Sequence, residues 1–399
     1  MKISRRAMLA AAGLTVPGIA RADDGVVFPF AVTRNMPWAA VQLNGVDPAM
    51  PFLIDTGSSG FGILQAKAEE LKLAKMGKAL SQAAVGRANI AIYEASLVLG
   101  GAVRQSRTSI LGVPHLPRPM LGLIPLPRIQ LMAMDFDRRE VLLINRLPDA
   151  MEGYQALEID AGRGELGSAN IMGAYATEQD ARLGRDQRPV IDAEFDGELV
   201  KLMVDTGFGG GLHLNPDYVK KRGLWNRSAA FAPVRLGTVL GPVGARMIRA
   251  ERLKIGRLVF ANPIVSLGDP ADSDLDGTRN VAGLIGMEFI RRVNLVVHPT
   301  RRRLWIKPNS AITDGYRYDR AGADVEIIDK AARIAGLAPG SPADRAGLRA
   351  GDKVTGWRGR DGIEGLSWAL KGAPGSKVEI QIERNGKTEL VAVVLEERI

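Results

Sequence analysis

The stretch Pro51-Phe52-Leu53-Ile54-Asp55-Thr56-Gly57 and its echo Val200-Lys201-Leu202-Met203-Val204-Asp205-Thr206-Gly207 decide how this chain is read. Each is an apolar run with strand character that ends abruptly in an acid, a small hydroxyl residue and a glycine. A carboxylate at the end of a hydrophobic strand is held rigidly and partly desolvated, which is what acid–base chemistry asks of it. The two acids stand 150 positions apart, a spacing that implies a duplicated fold bringing two carboxylates together.

The flanks repeat as well. Val41-Gln42-Leu43 and the turn Asn44-Gly45 precede the first acid, and Ala193-Glu194-Phe195 with Asp196-Gly197 precede the second. Both turn pairs tolerate positive φ and read as hairpins. Downstream, Ser58-Ser59-Gly60 answers Phe208-Gly209-Gly210, and each is followed by a short helical segment ending at Leu71-Lys72-Leu73 or Arg222-Gly223-Leu224. Glycine-containing hairpins follow around Gly86 and Gly241, then strand-turn units at 97–101 and 253–256. Met120-Leu121-Gly122-Leu123 lines up with Leu284-Ile285-Gly286-Met287, and each half closes with strand, turn and strand at 135–144 and 298–306. In the second of these, Arg301-Arg302-Arg303 reads as a solvated turn.

On these residues both halves resemble retropepsin-type aspartic protease domains. The resemblance implies a mostly β fold: two tandem retropepsin-like acid-protease β-barrel halves, residues 26–150 and 155–310, forming one bilobal catalytic unit. It is closer to bacterial periplasmic aspartyl proteases than to eukaryotic pepsins, because each half keeps its own flap segment. It makes Asp55 and Asp205 the catalytic pair, with Leu121-Gly122 and Ile285-Gly286 as the apolar residue and glycine behind them. Thr56 and Thr206 then reach across to the opposite loop, and Gly57 and Gly207 permit the tight turn. Ser58 fits the small residue usual at the next position, its hydroxyl able to bond a carboxylate oxygen; Phe208 departs from that pattern. Gly86 and Gly241 become flap tips, with Tyr93 either a flap aromatic or an ordinary strand residue.

Two adjacent carboxylates cannot both ionise cheaply, so the pair holds one proton between them. The charged member can draw a proton from water while the neutral member donates to a scissile carbonyl, giving peptide hydrolysis without a covalent intermediate. Sequence does not assign the two roles. The rival reading is a non-catalytic peptide-binding protein on a protease-like fold, kept open by Phe208 and opposed by two intact triplets. His115, His213 and His298 are isolated, without partners at metal-ligand spacing, so no metal and no cofactor are expected. No serine sits in a nucleophile-elbow context, and the absence of cysteine excludes disulfide and thiolate chemistry.

After Pro308 the grammar changes. The segment from Ala335 to Val354 places Ser341 to cap a helix starting at Pro342, Gly347 to end it and Gly351-Asp352 to turn into a strand. With the alternating run Val378–Arg384, the turn Asn385-Gly386 and the closing strand, it resembles a small α+β bacterial PDZ domain over 320–399. That resemblance implies a peptide ligand added to a sheet edge, with a carboxylate-binding loop near Gly322, Ala323, Asp324 and Val325. Asp324 departs from the apolar residue usual there, which leaves open a grip on internal segments or a bracing role.

Residues 1–22 read as an export signal: Lys2 and Arg5-Arg6, an apolar stretch from Ala7 to Ile19, and Ala20-Arg21-Ala22 as a small-x-small cleavage site. Ser4-Arg5-Arg6 with Leu9 resembles a twin-arginine signal, the alternatives being a general secretory signal or a short anchor. The expected location is the periplasm. Removing the segment's four basic residues from the 53 leaves 49 against 44 acidic ones, a mild +5. With 5% aromatics and no basic-aromatic interleaving, no nucleic-acid role is expected, and the partners expected are protein or peptide substrates.

Overall fold

The computed structural model describes residues 25–58, 60–83, 86–117, 119–127, 130–147, 151–160, 188–227, 231–238, 241–275, 281–299, 301–328, 331–359 and 365–399. The expected export signal at 1–22 lies outside them. The chain is mostly β. Its first half contributes β1 (Val26–Pro29), β2 (Ala31–Thr33), β3 (Met36–Leu43), β4 (Met50–Ile54), β5 (Gly62–Leu64), β6 (Ala74–Ala83), β7 (Gly86–Leu99), β8 (Val103–Val113), β9 (Gly122–Ile124), β10 (Leu131–Asp135) and β11 (Glu140–Ile144). The second contributes β12 (Gln155–Glu158), β13 (Val190–Phe195), β14 (Glu198–Val204), β15 (Leu212–Leu214), β16 (Ala232–Thr238), β17 (Gly241–Arg249), β18 (Arg252–Ile255), β19 (Leu258–Ala261), β20 (Ile264–Gly268), β21 (Gly283–Ile285), β22 (Val293–His298) and β23 (Arg303–Pro308).

Both halves fold to one plan. The first sheet runs β2-β3-β4-β9-β5-β8-β7-β6, and the second contains the same succession as β13-β14-β21-β15-β20-β17-β16, with β18-β19 beyond β13. In each, the strand leading to the acid pairs in parallel with a short strand far along the chain: Ile54 opposite Ile124, Val204 opposite Ile285. Asp196-Gly197, both at positive φ, form the two-residue turn of the β13–β14 hairpin, as matching to strand twist requires, whereas Asn44-Gly45, also at positive φ, opens a longer connection over residues 44–49 between β3 and β4. Short helices follow at α1 (Gln65–Glu70) and α2 (Pro216–Arg222), the latter closed by Gly223 at φ 63°.

A third sheet joins the halves, in the order β1-β11-β10-β22-β23-β12. Its seam is the antiparallel pair β10–β22, where Met132, Ala133 and Met134 face Val297, Val296 and Leu295. The main apolar core runs through both halves, including Phe52, Met134, Val297 and Phe289. Burial of such side chains stabilises by about 1.5–3 kcal/mol each, so the halves are not independent units. Arg301 and Arg302 sit exposed in the β22–β23 turn, as expected.

The remaining residues form an antiparallel five-stranded sheet with a separate core: β24 (Ala323–Ile328), β25 (Ala331–Leu337), β26 (Lys353–Trp357), β27 (Lys377–Arg384) and β28 (Lys387–Val394). A short helix, Pro342–Arg345, begins as expected at Ser341, whose hydroxyl accepts from Asp344 N at 3.3 Å. This unit rests on the second half through Tyr318 and Ile399, which pack with Ala232 and Met247 of the β16–β17 hairpin. Among the described residues, no helix is long and apolar enough to cross a membrane.

Candidate active site

Asp55 and Asp205 each stand one residue past an apolar strand, their amides anchored to the neighbouring short strand: Asp55 N donates to Ile124 O at 2.8 Å, Asp205 N to Ile285 O at 2.9 Å. Each loop then turns back on its own acid, with Gly57 N donating to Asp55 Oδ1 at 2.9 Å and Gly207 N to Asp205 Oδ1 at 2.8 Å. The threonines point the other way. Thr56 Oγ1 donates to Val204 O at 2.6 Å and accepts from Thr206 N at 3.1 Å; Thr206 Oγ1 donates to Ile54 O at 2.7 Å and accepts from Thr56 N at 3.0 Å. Both threonines are almost wholly buried, so these four bonds are sheltered from water.

This lock brings the carboxyls face to face. A Cβ on Gly57 would lie 2.7 Å from Asp205 Cγ, and one on Gly207 would lie 2.6 Å from Asp55 Cγ; only glycine lets the opposing acids approach. The two side chains hydrogen-bond to each other. Burial, then the negative charge of Asp205 and the bond to it, push the Asp55 carboxyl well above the ordinary carboxylate range. Burial raises Asp205 too, but the Gly207 amide, the bond from Asp55 and the charge of Arg188 oppose it. Both carboxyls are thus raised, as expected of a buried pair that shares a proton.

Residues 191–289 match the aspartyl protease family model. That segment contains Asp205, its loop and the Ile285-Gly286 strand end behind it. No curated protein matches the chain. Among solved structures, the crystal structure of an aspartic proteinase from Irpex lacteus is similar, at 12% identity over 73% of this chain and 99% of that one, with a TM-score of 0.47.

Several expectations need correction. The residues behind Asp55 are not Leu121-Gly122: register equates Ile124 with Ile285 and Gly122 with Gly283, so the counterpart of Gly286 is Pro125. The reason is chemical. Gly286 N donates to Gly211 O at 2.7 Å and opens α3 (Met287–Ile290), whereas proline has no N–H to give. The Ser58 hydroxyl is turned to the backbone and not to a carboxylate, donating to Gly60 O at 2.8 Å. Phe208 folds away from the acids, packing on Val190, Met203, Val281 and Leu284 and edge-on to His213 at 6.1 Å between centroids. Gly286 makes that possible, since a Cβ there would meet the Phe208 ring at 2.5 Å.

Tyr93 is a core residue of β7, buried beside Gly112, and not a flap aromatic. Gly86 and Gly241 do end hairpins, paired with Ala83 and Thr238 across tips at 84–85 and 239–240 that lie outside the described residues. In the last sheet, Ala323, Asp324 and Val325 belong to edge strand β24 and not to a loop. Before it, the amides of Ala321 and Gly322 already donate to Asp319 at 3.0 and 2.9 Å, and Asp324 meets Arg235 of β16 at 3.4 Å. A ligand carboxylate would therefore compete with one the chain supplies itself.

Sequence reasoning missed a polar strut beside the site. Asn35, in a turn of the first half, donates to Gly209 O at 2.8 Å in the second acid's loop and to Glu288 Oε1 at 3.0 Å on α3. Glu288 is buried, and Arg291 and Arg292 face it at 3.4 and 3.9 Å. Asn35 at φ 63° is a turn residue in any sequence reading; nothing local signals that it ties one half to the other's loop. His213 sits half-buried against Ser266 at 3.1 Å, and desolvation pushes its imidazole down to about 4, so it is neutral at ordinary pH. Among the described residues no cluster of histidine and acids is arranged to hold a metal.

Proposed function

We propose that this protein is an aspartic endopeptidase that hydrolyses peptide bonds with a water molecule activated between Asp55 and Asp205. The observation that carries the reading is the reciprocal threonine lock, which holds two desolvated carboxyls in mutual hydrogen bonding. Asp205, the charged member, accepts a proton from water as the water oxygen bonds to the scissile carbonyl carbon. Asp55 gives its proton to the carbonyl oxygen, so no full negative charge builds there. The resulting tetrahedral gem-diol collapses when Asp205 returns its proton to the amide nitrogen and the C–N bond breaks. One diol hydroxyl proton passes back to Asp55, and the dyad is restored.

The β6–β7 and β16–β17 hairpins are proposed to close over an extended substrate and exclude water. The carboxy-terminal sheet is proposed to act as a PDZ-type module that presents its β24 edge to protein segments. With the Ala321 and Gly322 amides occupied by Asp319, internal segments suit that edge better than free C-termini. The amino-terminal segment supports export to the periplasm.

The test is cleavage of a mixed peptide library by the mature protein beside Asp55→Asn and Asp205→Asn, from acid to neutral pH, with product termini read by mass spectrometry. Cleavage by wild type and by neither variant supports the reading. Peptide binding by all three without cleavage would replace it with recognition on a protease-like fold.

A further inference from the structure

The two halves differ in charge where they should be most alike. Strand β3 pairs with β4 so that Trp38 faces Leu53, which carries Met36 to the position opposite Asp55. Strand β13 pairs with β14 so that Val190 faces Met203, and Val204 N donates to Pro189 O at 2.8 Å. Continued by the same count, this register sets Arg188 opposite Asp205. Met36-Pro37 and Arg188-Pro189 are thus matching dipeptides, with a methionine at the register position opposite one acid and an arginine at that opposite the other. Directly opposed residues on antiparallel neighbours lie close enough to interact through their side chains.

We propose that Arg188 is a positioning residue for the dyad: its cation, set opposite Asp205 by strand register, fixes Asp205 as the charged member and leaves the shared proton on Asp55. Arg188 is half-buried, so its field is less screened than that of a surface arginine. Its charge is among the influences that hold Asp205 down, whereas those acting most on Asp55 include no cation. Met36 is buried and packs near Gly209 of the opposing loop, supplying contact without charge. The other charged groups around Asp205 do not duplicate this role. Asp55 faces it from the opposing loop, His213 beyond Phe208 is neutral, and Glu288 on α3 is engaged by Asn35, Arg291 and Arg292. Arg188 also lies three residues before the segment that matches the family model, so the assignment comes from this chain's own register.

The consequence for the general base rests on the peptidase reading; the charge asymmetry does not. The test therefore has two readouts on wild type, Arg188→Met and Arg188→Lys. The first is the ¹³C-carboxyl titration of Asp55 and Asp205 by NMR, assigned with the Asp→Asn variants, which needs no turnover. The second is the pH profile of kcat/KM. In Arg188→Met, removing the cation raises the pH at which Asp205 ionises, so its titration and the acidic limb of the profile both move up by about one pH unit. Arg188→Lys keeps both close to wild type. An unmoved Asp205 titration in Arg188→Met, or equal movement in the Met and Lys variants, overturns the proposal. A shifted titration in a protein that cleaves nothing upholds the proposal and removes the peptidase reading instead.

Discussion

Thr56 and Thr206 each donate a backbone N–H to the other's hydroxyl, at 3.0 and 3.1 Å, while each hydroxyl donates to a carbonyl of the opposite strand. Four bonds made by two residues thus register one half against the other at the point where their acids meet. Thr206→Val keeps the shape and removes the hydroxyl, leaving Thr56 N and Ile54 O without partners in a buried setting. We expect a stability loss of about 2–4 kcal/mol and a fall in kcat of roughly a hundredfold as the carboxyls lose alignment. Thr206→Ser should retain most of both, measured by chemical denaturation and by turnover of a peptide substrate; equal loss in both variants would show that the methyl, and not the bonds, matters.

The dyad costs the fold stability at neutral pH. Asp55 titrates above its ordinary range because it is buried beside Asp205, so its folded form favours the proton more than its unfolded form does. Its contribution is fully present below the unfolded value of 3.8 and is lost as pH rises through the folded value. Asp55→Asn should therefore have a higher Tm than wild type at pH 7, with the gap closing as pH falls toward 4. Parallel Tm–pH curves for the two proteins would contradict this.

Phe208 is a packing residue, not a member of the acid pair. Its ring covers Gly210 and Gly286 and meets an apolar cluster, while the serine at the matching place in the first half turns its hydroxyl to Gly60 O. Phe208→Ser should lower stability by about 2–4 kcal/mol through lost burial and a cavity. The pH at which Asp205 titrates should stay where it is, read by ¹³C-carboxyl NMR; a displaced titration would return Phe208 to the site's electrostatics.

In the carboxy-terminal sheet, Arg384 makes a two-pronged contact with Asp352, at 2.7 Å to Oδ1 and 2.6 Å to Oδ2, with the carboxylate buried. Burial raises Asp352, but the Arg384 bonds and the Arg349 amide outweigh it and hold the group below its ordinary value. That stability is present above pH 3.8 and lost as pH falls through the lower folded value. Asp352→Asn should destabilise this sheet by about 3–5 kcal/mol at neutral pH. Hydrogen exchange would show early opening of β26–β28 with β4 and β14 unaffected; uniform loss of protection would mean the unit does not unfold separately.

Much of this was legible in the chain itself. The two Asp-Thr-Gly stretches, the positive-φ turn residues at Asn44-Gly45, the hairpin at Asp196-Gly197 and the cap at Ser341 are local chemistry, in which residue type nearly dictates backbone geometry. The alignment behind the first acid was misread because an apolar pair followed by glycine occurs at Leu121-Gly122, whereas register places Ile124-Pro125 there. Glycine spacing is a weak guide where a proline can fill the same corner once the helix that follows in the other half is dispensed with.

By itself, the sequence determined that two carboxylates end two apolar strands of a duplicated β unit, because hydrophobic runs and turn residues act over a few positions. Only the tertiary structure decided what surrounds them: Pro125 in place of a second glycine, Asn35 reaching Gly209, Phe208 turned onto Gly286, and the strand registers that carry Arg188 toward Asp205 and Met36 toward Asp55. Those relations join residues far apart in the chain through strand register and desolvation, and neither is fixed until the halves pair and exclude water.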